Sequence, residues 1–240
     1  MLLSGKVALV TGGSRGLGKA ITLAYAREGA SVIACSRNPA KLREVERELS
    51  VVASSYLLIP ADVGKPDQVR RLVEDSLARF KRIDILVNNA SLLGPRVEVV
   101  KYPEDEWRTI VDVNLFGAYL VSKRVSQVMM DQRSGSIINV SSSVGRRGRA
   151  RWGAYAVSKF GLEGLNQVLA DELKPYDIRV NSVNPGPMAT EMRHAAYPDE
   201  DQSKLKKPEE TLDVYLYLAS DESIGKTGGA YDAQSFVKPS

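Results

Sequence analysis

The chain is a succession of short, continuously apolar runs, each followed by a longer amphipathic stretch. Runs such as VALV within residues 6–12 and DILV within residues 83–90 do not alternate apolar with polar side chains. A strand with one face in water alternates. A strand that is apolar throughout is buried on both faces, as in a parallel sheet covered by helices on each side. Strands taken in turn with helices imply right-handed crossovers and a doubly wound α/β fold. The pattern predicts strands at 6–12, 31–36, 56–62, 83–90, 136–142 and 178–185, with a short seventh near 230–233. It predicts helices at 16–28, 39–49, 66–80, 104–130, 152–173 and 208–218. No repeat, low-complexity segment or break in composition divides the 240 residues, so one domain over 1–240 is expected. The least regular stretch, 186–207, is expected to be a mobile substrate flap.

Composition narrows the function classes. There are 33 basic and 29 acidic residues, a net charge of +4, interspersed through most of the chain. That balance permits an anionic partner without demanding nucleic acid, and no nucleic-acid partner is expected. A single cysteine, Cys35, allows no internal disulfide and fits a reducing compartment; it is expected in the core of a strand. A single histidine, His194, excludes a His-rich metal site, and no metal is expected. No run approaches the ~18 apolar residues that a membrane span needs. MLLSGKV lacks the apolar core of a secretory signal. The expected location is the cytoplasm, with no membrane partner.

The stretch TGGSRGLG (11–18) closes the first strand and opens the first helix. At such a junction Gly12 permits a sharp turn, Gly16 a close approach of backbone to a pyrophosphate, and Gly18 tight packing of helix on sheet. Ser14, Arg15 and Leu17 complete the loop, and the helix N-terminus offers free N–H groups to phosphate. A carboxylate at the end of the second strand would hold a ribose 2′-hydroxyl, but Ser36 and Arg37 stand there instead. Arg37 and Arg15 can attract a 2′-phosphate, which favours NADP (NADPH) over NAD. The alternative is that both arginines are solvated surface charges.

TGGSRGLG, Asp62 and Val63 in ADV, Asn88-Asn89-Ala90, Asn114 in VDVNLFG, Ser142 in INVSSSVG, Tyr155 and Lys159 in YAVSK, and NPGPMAT (184–190) occur in one order and spacing. In this the chain resembles the short-chain dehydrogenase/reductase family over nearly its whole length. The resemblance implies a single-domain Rossmann-type fold, a homodimer or homotetramer, and hydride transfer between nicotinamide and a small carbonyl or alcohol substrate. It implies Tyr155 as general acid/base, Ser142 as a hydrogen-bond partner of the reacting oxygen, and Lys159 as holder of the nicotinamide ribose. Asn114 would position a water that resupplies the proton. Asp62 would bind the adenine amino group, and Asn88 would sit beside the cofactor. The backbone of Pro185, Gly186 and Met188, with the Thr190 hydroxyl, would hold the nicotinamide. The chemistry agrees: Tyr155 and Lys159 are four apart on a helix, and a nearby ammonium favours the phenolate, which is expected to lower the tyrosine pKa.

Two departures from the family pattern stand out. Ser91 occupies the place of the usual glycine after NNA, and Asp232-Ala233-Gln234 replaces the usual Asp-Gly-Gly near the end. NNASLLG, SSSVGRRGRARWGAYAVSKF and the DAQ ending resemble a bacterial subgroup, the YciK-like oxidoreductases. A catalytically silent cofactor-binding regulator is the alternative function, and a 3-oxoacyl-type reductase is the alternative specific activity. Regulators of this kind tend to lose the tyrosine or lysine, and both are present here.

GRRGRARWGAYAVSK (145–159) sets Arg146, Arg147, Arg149 and Arg151 just before Tyr155. The loop 143–154 must border the substrate pocket if Ser142 and Tyr155 flank the reacting carbonyl. The arginines either face solvent and pair with acids nearby, or bind an anionic substrate, with Trp152 as an apolar wall. Apolar residues on several faces of 104–130, among them Val121, Val125, Val128 and Met129, suggest helix pairing between subunits.

Overall fold

The computed structural model describes residues 1–239. Seven strands form one sheet in the order β3-β2-β1-β4-β5-β6-β7, every neighbouring pair parallel. They are β1 Val7–Thr11, β2 Ser31–Ser36, β3 Tyr56–Pro60, β4 Ile85–Asn88, β5 Gly135–Val140, β6 Ile178–Asn184 and β7 Ala230–Asp232. The helices are α1 Gly16–Arg27, α2 Pro39–Val52, α3 Pro66–Phe80, α4 Glu104–Val111, α5 Gly117–Gln132, α6 Gly153–Leu173, α7 Glu191–Ala196 and α8 Asp213–Ala219. The continuously apolar strands are buried on both faces, as the sequence predicts: β1 and β4 are buried at every residue. One core packs α1, α2 and α8 on the sheet through Ile21, Tyr25, Val45 and Tyr215. The other packs α3, α5 and α6 through Val69, Leu72, Val121, Val125 and Leu173. Cys35 lies in that second core, where burial pushes its thiol up to about 12.

Strand order reverses between β1 and β4, which leaves a crevice at the carboxyl ends of the strands. Beside it, Asn88, Asn139 and Ser182 are in register across β4, β5 and β6 and form a buried polar row.

Two predicted helices are corrected. The single helix expected at 104–130 is α4 and α5 joined by a π-helical segment, Asp112–Phe116. The Gly117 amide donates to the Asp112 carbonyl five residues back. The segment is pinned by Asn114, whose side chain exchanges hydrogen bonds with the backbone of Leu92. The helix expected at 208–218 begins as a 3-10 turn, Pro208–Thr211, and becomes α-helical only at Asp213. Within the irregular stretch 186–207 the chain folds a short helix, α7, a 3-10 turn at Gln202–Lys204, and a bridge between Met188 and Lys206.

Val121, Val125 and Met129 are fully buried in the chain's own core, so they are not a spare apolar face. The exposed apolar side chains on α5, α6 and the segment between α4 and α5 are instead Phe116, Tyr119, Val157, Phe160 and Val168.

Candidate active site

The crevice opens into a cavity of about 620 Å³ that runs from Arg37 and Asp62 past the glycine turn to Tyr155 and Lys159. At its centre the wall is backbone. Gly12 has φ +66°, and a Cβ there would lie 2.9 Å from the Ala90 Cα. A Cβ on Gly18 would run into the Gly12 carbonyl and the Asn89 amide. The Asn89 side chain donates to the Thr11 and Gly12 carbonyls at 2.9 and 3.2 Å. The Thr11 hydroxyl in turn accepts from the amides of Asn89 and Ala90, both at 3.0 Å. The two expected cofactor-binding segments are thus fastened to each other before any ligand arrives.

At one end of the cavity the Ser14 hydroxyl donates to that of Ser36 at 2.8 Å. Asn38 caps α2 through the amides of Ala40 and Lys41. Arg37 is exposed, lines the cavity and makes no ion pair among the described residues. Arg15 also lines the cavity but is paired with Glu191 of α7 at 2.6 Å. The expectation that both arginines converge as free cations is therefore met by Arg37, whereas Arg15 ties the glycine loop to the 186–207 segment. Asp62 lines the same end, and its carboxylate accepts from the Gly64 amide at 3.0 Å. Ala61, Val63, Asn89 and Ala90 line the cavity too. Asn88 does not: it is buried behind the wall, donating to Ser122 at 2.8 Å and to Asn139 at 2.9 Å.

At the other end Tyr155 and Lys159 share one face of α6, as their spacing requires. Both are buried, and both line the cavity. Burial pushes the Tyr155 phenol up to about 12, and a hydrogen bond with Ser142 works the other way. Burial here outweighs the neighbouring groups, opposite in direction to the lowering expected from Lys159. The Lys159 ammonium, whose Nζ is 5.7 Å from the phenol ring centre, donates to the Val140 carbonyl at 2.6 Å. Burial lowers it to about 8, opposed by the negative charge of Glu163 one turn along the helix. Ser142 follows β5, half-buried, and its hydroxyl accepts from the Val144 amide at 3.4 Å. Asn114 is buried nearby, its amide donating to the Leu92 carbonyl at 2.8 Å and to the Ser158 hydroxyl at 3.1 Å. Pro185, Met188 and Thr190 line the opposite wall, and Thr190 caps α7 by accepting from the Arg193 amide. Gly186 donates its amide to Asn184.

The four arginines separate into different environments. Arg146 is half-buried and pairs with Glu163 at 3.0 Å and Asp232 at 3.2 Å. Arg147 and Arg149 are exposed and make no ion pair among the described residues. Arg151 is exposed, has φ +66°, and donates to the Arg96 carbonyl at 3.2 Å. None of the four lines the main cavity. Trp152 does stand beside the site, 5.6 Å from the Tyr155 ring. The sequence reading did not single out Arg96, whose guanidinium lies between the rings of Trp152 and Tyr197, 4.6 and 4.5 Å from their centres. It also donates to the Ala196 carbonyl and so joins the β4 loop to α7. Nothing in the local sequence marks that stack. Glu163 was also missed, although its spacing from Lys159 was a usable signal.

The residues present fit a dinucleotide. The glycine cradle excludes side chains where a pyrophosphate would approach the backbone. Ser91 and Ser141 line the cavity, each with a buried hydroxyl that has no protein partner. Such orphaned groups are costly unless a ligand or water satisfies them. The serine that replaces the family's glycine after NNA therefore adds a polar group to the cleft.

Comparison with known proteins agrees with this geometry. The short chain dehydrogenase family model matches residues 6–201. The Escherichia coli K12 oxidoreductase YciK is 37% identical over 241 residues, covering 99% of this chain and 95% of its own length. A 3-oxoacyl-[acyl-carrier-protein] reductase FabG of Thermotoga maritima is 39% identical over 236 residues, covering 95% and 96%. Among solved structures, a short-chain dehydrogenase of Shigella flexneri 2a complexed with NADP superposes with a TM-score of 0.91 at 37% identity, over 97% of this chain and 98% of that one. The chain belongs to the short-chain dehydrogenase family.

Proposed function

We propose that this short-chain dehydrogenase binds NADP(H) in the cleft and interconverts a small carbonyl compound and its alcohol, with Tyr155 as the acid–base group. The observation that carries this reading is one continuous cavity with an unpaired arginine, Arg37, at one end and the buried Tyr155–Lys159 pair at the other. Arg37 suits a 2′-phosphate, and the Shigella flexneri relative was solved with NADP. The glycine turn, with Ser14, Gly16 and Leu17, would hold the pyrophosphate, Asp62 the adenine, and Lys159 the nicotinamide ribose. Bound NADPH supplies the hydride that forms the new C–H bond. Tyr155 gives its phenolic proton to the carbonyl oxygen as the C=O π pair moves onto that oxygen. Ser142 donates to the same oxygen and stabilises its developing charge. The Asn114 side chain is committed to Leu92 and Ser158. In this reading Asn114 would serve the water that restores the proton through Lys159 with its backbone rather than with its side-chain amide. The 186–207 segment acts as the substrate flap, held down by the Arg15–Glu191 pair and the Arg96 stack.

A panel of aldehydes and ketones, followed by NADPH absorbance, tests the reading. Tyr155→Phe is expected to abolish turnover of the best substrate while NADPH binding stays within about threefold. Near-normal turnover by that variant would remove Tyr155 from the chemistry. An anionic substrate, including a 3-oxoacyl thioester, is the favoured class, because Arg147 and Arg149 are unpaired on the loop beside the site and the Thermotoga maritima relative is a 3-oxoacyl-[acyl-carrier-protein] reductase. The exposed face of Phe116, Tyr119, Phe160 and Val168 suits pairing with a second copy, which light scattering at micromolar concentration measures.

A further inference from the structure

Arg146 stands four residues after Ser142, on a loop otherwise rich in exposed arginines, yet its side chain is only 29% exposed. Its Nε donates to Glu163 at 3.0 Å, one Nη to Asp232 at 3.2 Å, and the other to the Tyr231 carbonyl at 3.0 Å. The second oxygen of Glu163 accepts from the Ser182 hydroxyl at 2.6 Å. Asp232 accepts from the Asn184 amide at 2.7 Å. The Asn184 side-chain oxygen Oδ1 then accepts from two backbone amides, Ser143 at 3.1 Å and Gly186 at 3.2 Å. One connected network therefore holds the residue next to Ser142 and the residue next to Pro185. It ends one helical turn from Lys159.

We infer that Arg146, Glu163 and Asp232 are positioning residues for the reaction: together they set Ser142 and the Pro185–Gly186 turn on either side of the cleft, and Glu163 places a carboxylate one helical turn from the buried Lys159. The inference rests on the oxidoreductase reading above. Its physical basis is charge balance. Arg146 and Lys159 carry two positive charges, Glu163 and Asp232 two negative ones, in a region where Lys159 and Glu163 are both buried. A buried ion pair is a poor way to gain stability, because desolvation consumes most of its Coulomb energy. A purely structural contact here would be served as well by apolar side chains. What apolar side chains cannot do is keep an ammonium charged against burial.

The charged and titratable groups around Lys159 are few. On its own helix it faces Tyr155 and Glu163. The loop after β5 brings Arg146 behind Glu163, and β7 brings Asp232 behind Arg146. The cavity side brings Arg15, Arg37, Lys41, Asp62 and Glu191 to the same cleft. Burial lowers Lys159 to about 8 and Glu163 is the one charge that acts against it. Any function that needs the ammonium is complete below that value and fades as pH rises through it. Removing the Glu163 charge moves the fade to lower pH.

The experiment compares the unmodified protein with Glu163→Gln, Asp232→Asn, Arg146→Leu and Arg146→Lys. NADPH fluorescence titrations and steady-state kinetics run from pH 6 to 10, with thermal melts alongside. For Glu163→Gln the alkaline limb of NADPH binding is expected to move down by about half a pH unit or more, with kcat reduced about tenfold. Arg146→Leu is expected to lower kcat with a smaller change in KM, and Arg146→Lys to recover part of the loss. Asp232 is half exposed, so Asp232→Asn can be read even if the buried variants do not fold. It is expected to lower kcat about threefold at an unchanged melting temperature. An unmoved limb in Glu163→Gln, or in Asp232→Asn a lower melting temperature with unchanged kcat, overturns the inference. If the unmodified protein turns over no carbonyl substrate, the reductase reading falls alone, because the pH limb of NADPH binding still decides the role of Glu163.

Discussion

At the glycine turn the cleft is walled by backbone: Gly12, Gly18 and Ala90 approach so closely that a single Cβ meets main-chain atoms. Beside the Tyr155 end, around Trp152, the packing is of side chains. Arg96 is stacked between Trp152 and Tyr197, Arg193 covers the other ring contact of Tyr197 at 4.0 Å, and Arg193 pairs with Glu200. The two ends tolerate change differently. A backbone wall has one geometry and nothing to trade. A cluster of stacked rings and guanidinium groups can be rebuilt with other residues, and through Arg96 it is tied to α7. The first suits a ligand whose shape is fixed, the second a substrate that varies among relatives.

The sharpest way to break that contrast is at Gly18. Gly18→Ala sets a methyl against the Gly12 carbonyl, which cannot swing aside. A loss of about 3 kcal/mol of stability is expected, at the upper end for overpacking, together with loss of NADPH binding. Urea melts and fluorescence titration measure both; a stable variant that still binds NADPH would show the backbone wall to be pliable. A smaller effect is expected at the edge of the same half. Arg37→Asp should reduce the preference for NADPH over NADH by at least tenfold, about 1.4 kcal/mol, with folding unchanged. Equal affinities for the two cofactors in the unmodified protein would remove the 2′-phosphate role from Arg37. The smallest effect belongs to the substrate end. Neutralising Arg149 and Arg151 together should raise KM for an anionic carbonyl compound about threefold to tenfold and leave its uncharged ester nearly unaffected. Because neither arginine lines the main cavity, equal changes for both compounds would assign them to loop structure.

The same contrast governs what could be read from the sequence. The glycine turn, the buried strands and the Tyr155–Lys159 face were legible because each depends on residues a few positions apart. The π segment was not, since VDVNLFG carries ordinary helical spacing and the distortion is set by the backbone of Leu92, 22 residues earlier. Arg146 was grouped with its neighbours because its partners Glu163 and Asp232 are 17 and 86 residues away. Val121, Val125 and Met129 misled in the opposite sense. They looked superfluous because the depth of the core between α3, α5 and α6 is not visible in a helical period. Asn88 was expected at the cofactor from the family resemblance, yet as the last residue of β4 it joins the buried row, while its neighbour Asn89 turns into the cleft.

The π segment between α4 and α5 has a bearing on how this rod can change by insertion and deletion. Five residues per hydrogen-bonded step in place of four amounts to one extra residue threaded into an otherwise continuous helix. Each residue advances a helix by about 100°, so that one residue sets the angular phase between the face of α4 that meets α6 and the face of α5 that meets the sheet. Removing one residue between 112 and 116 would leave a regular helix and a shorter rod, but the two faces would no longer point at their partners together. Length at this point is therefore constrained throughout, whereas side-chain identity is constrained chiefly at the buried Val113 and Asn114: the exposed positions can accept substitutions, but the segment cannot absorb the single-residue deletions that a loop would.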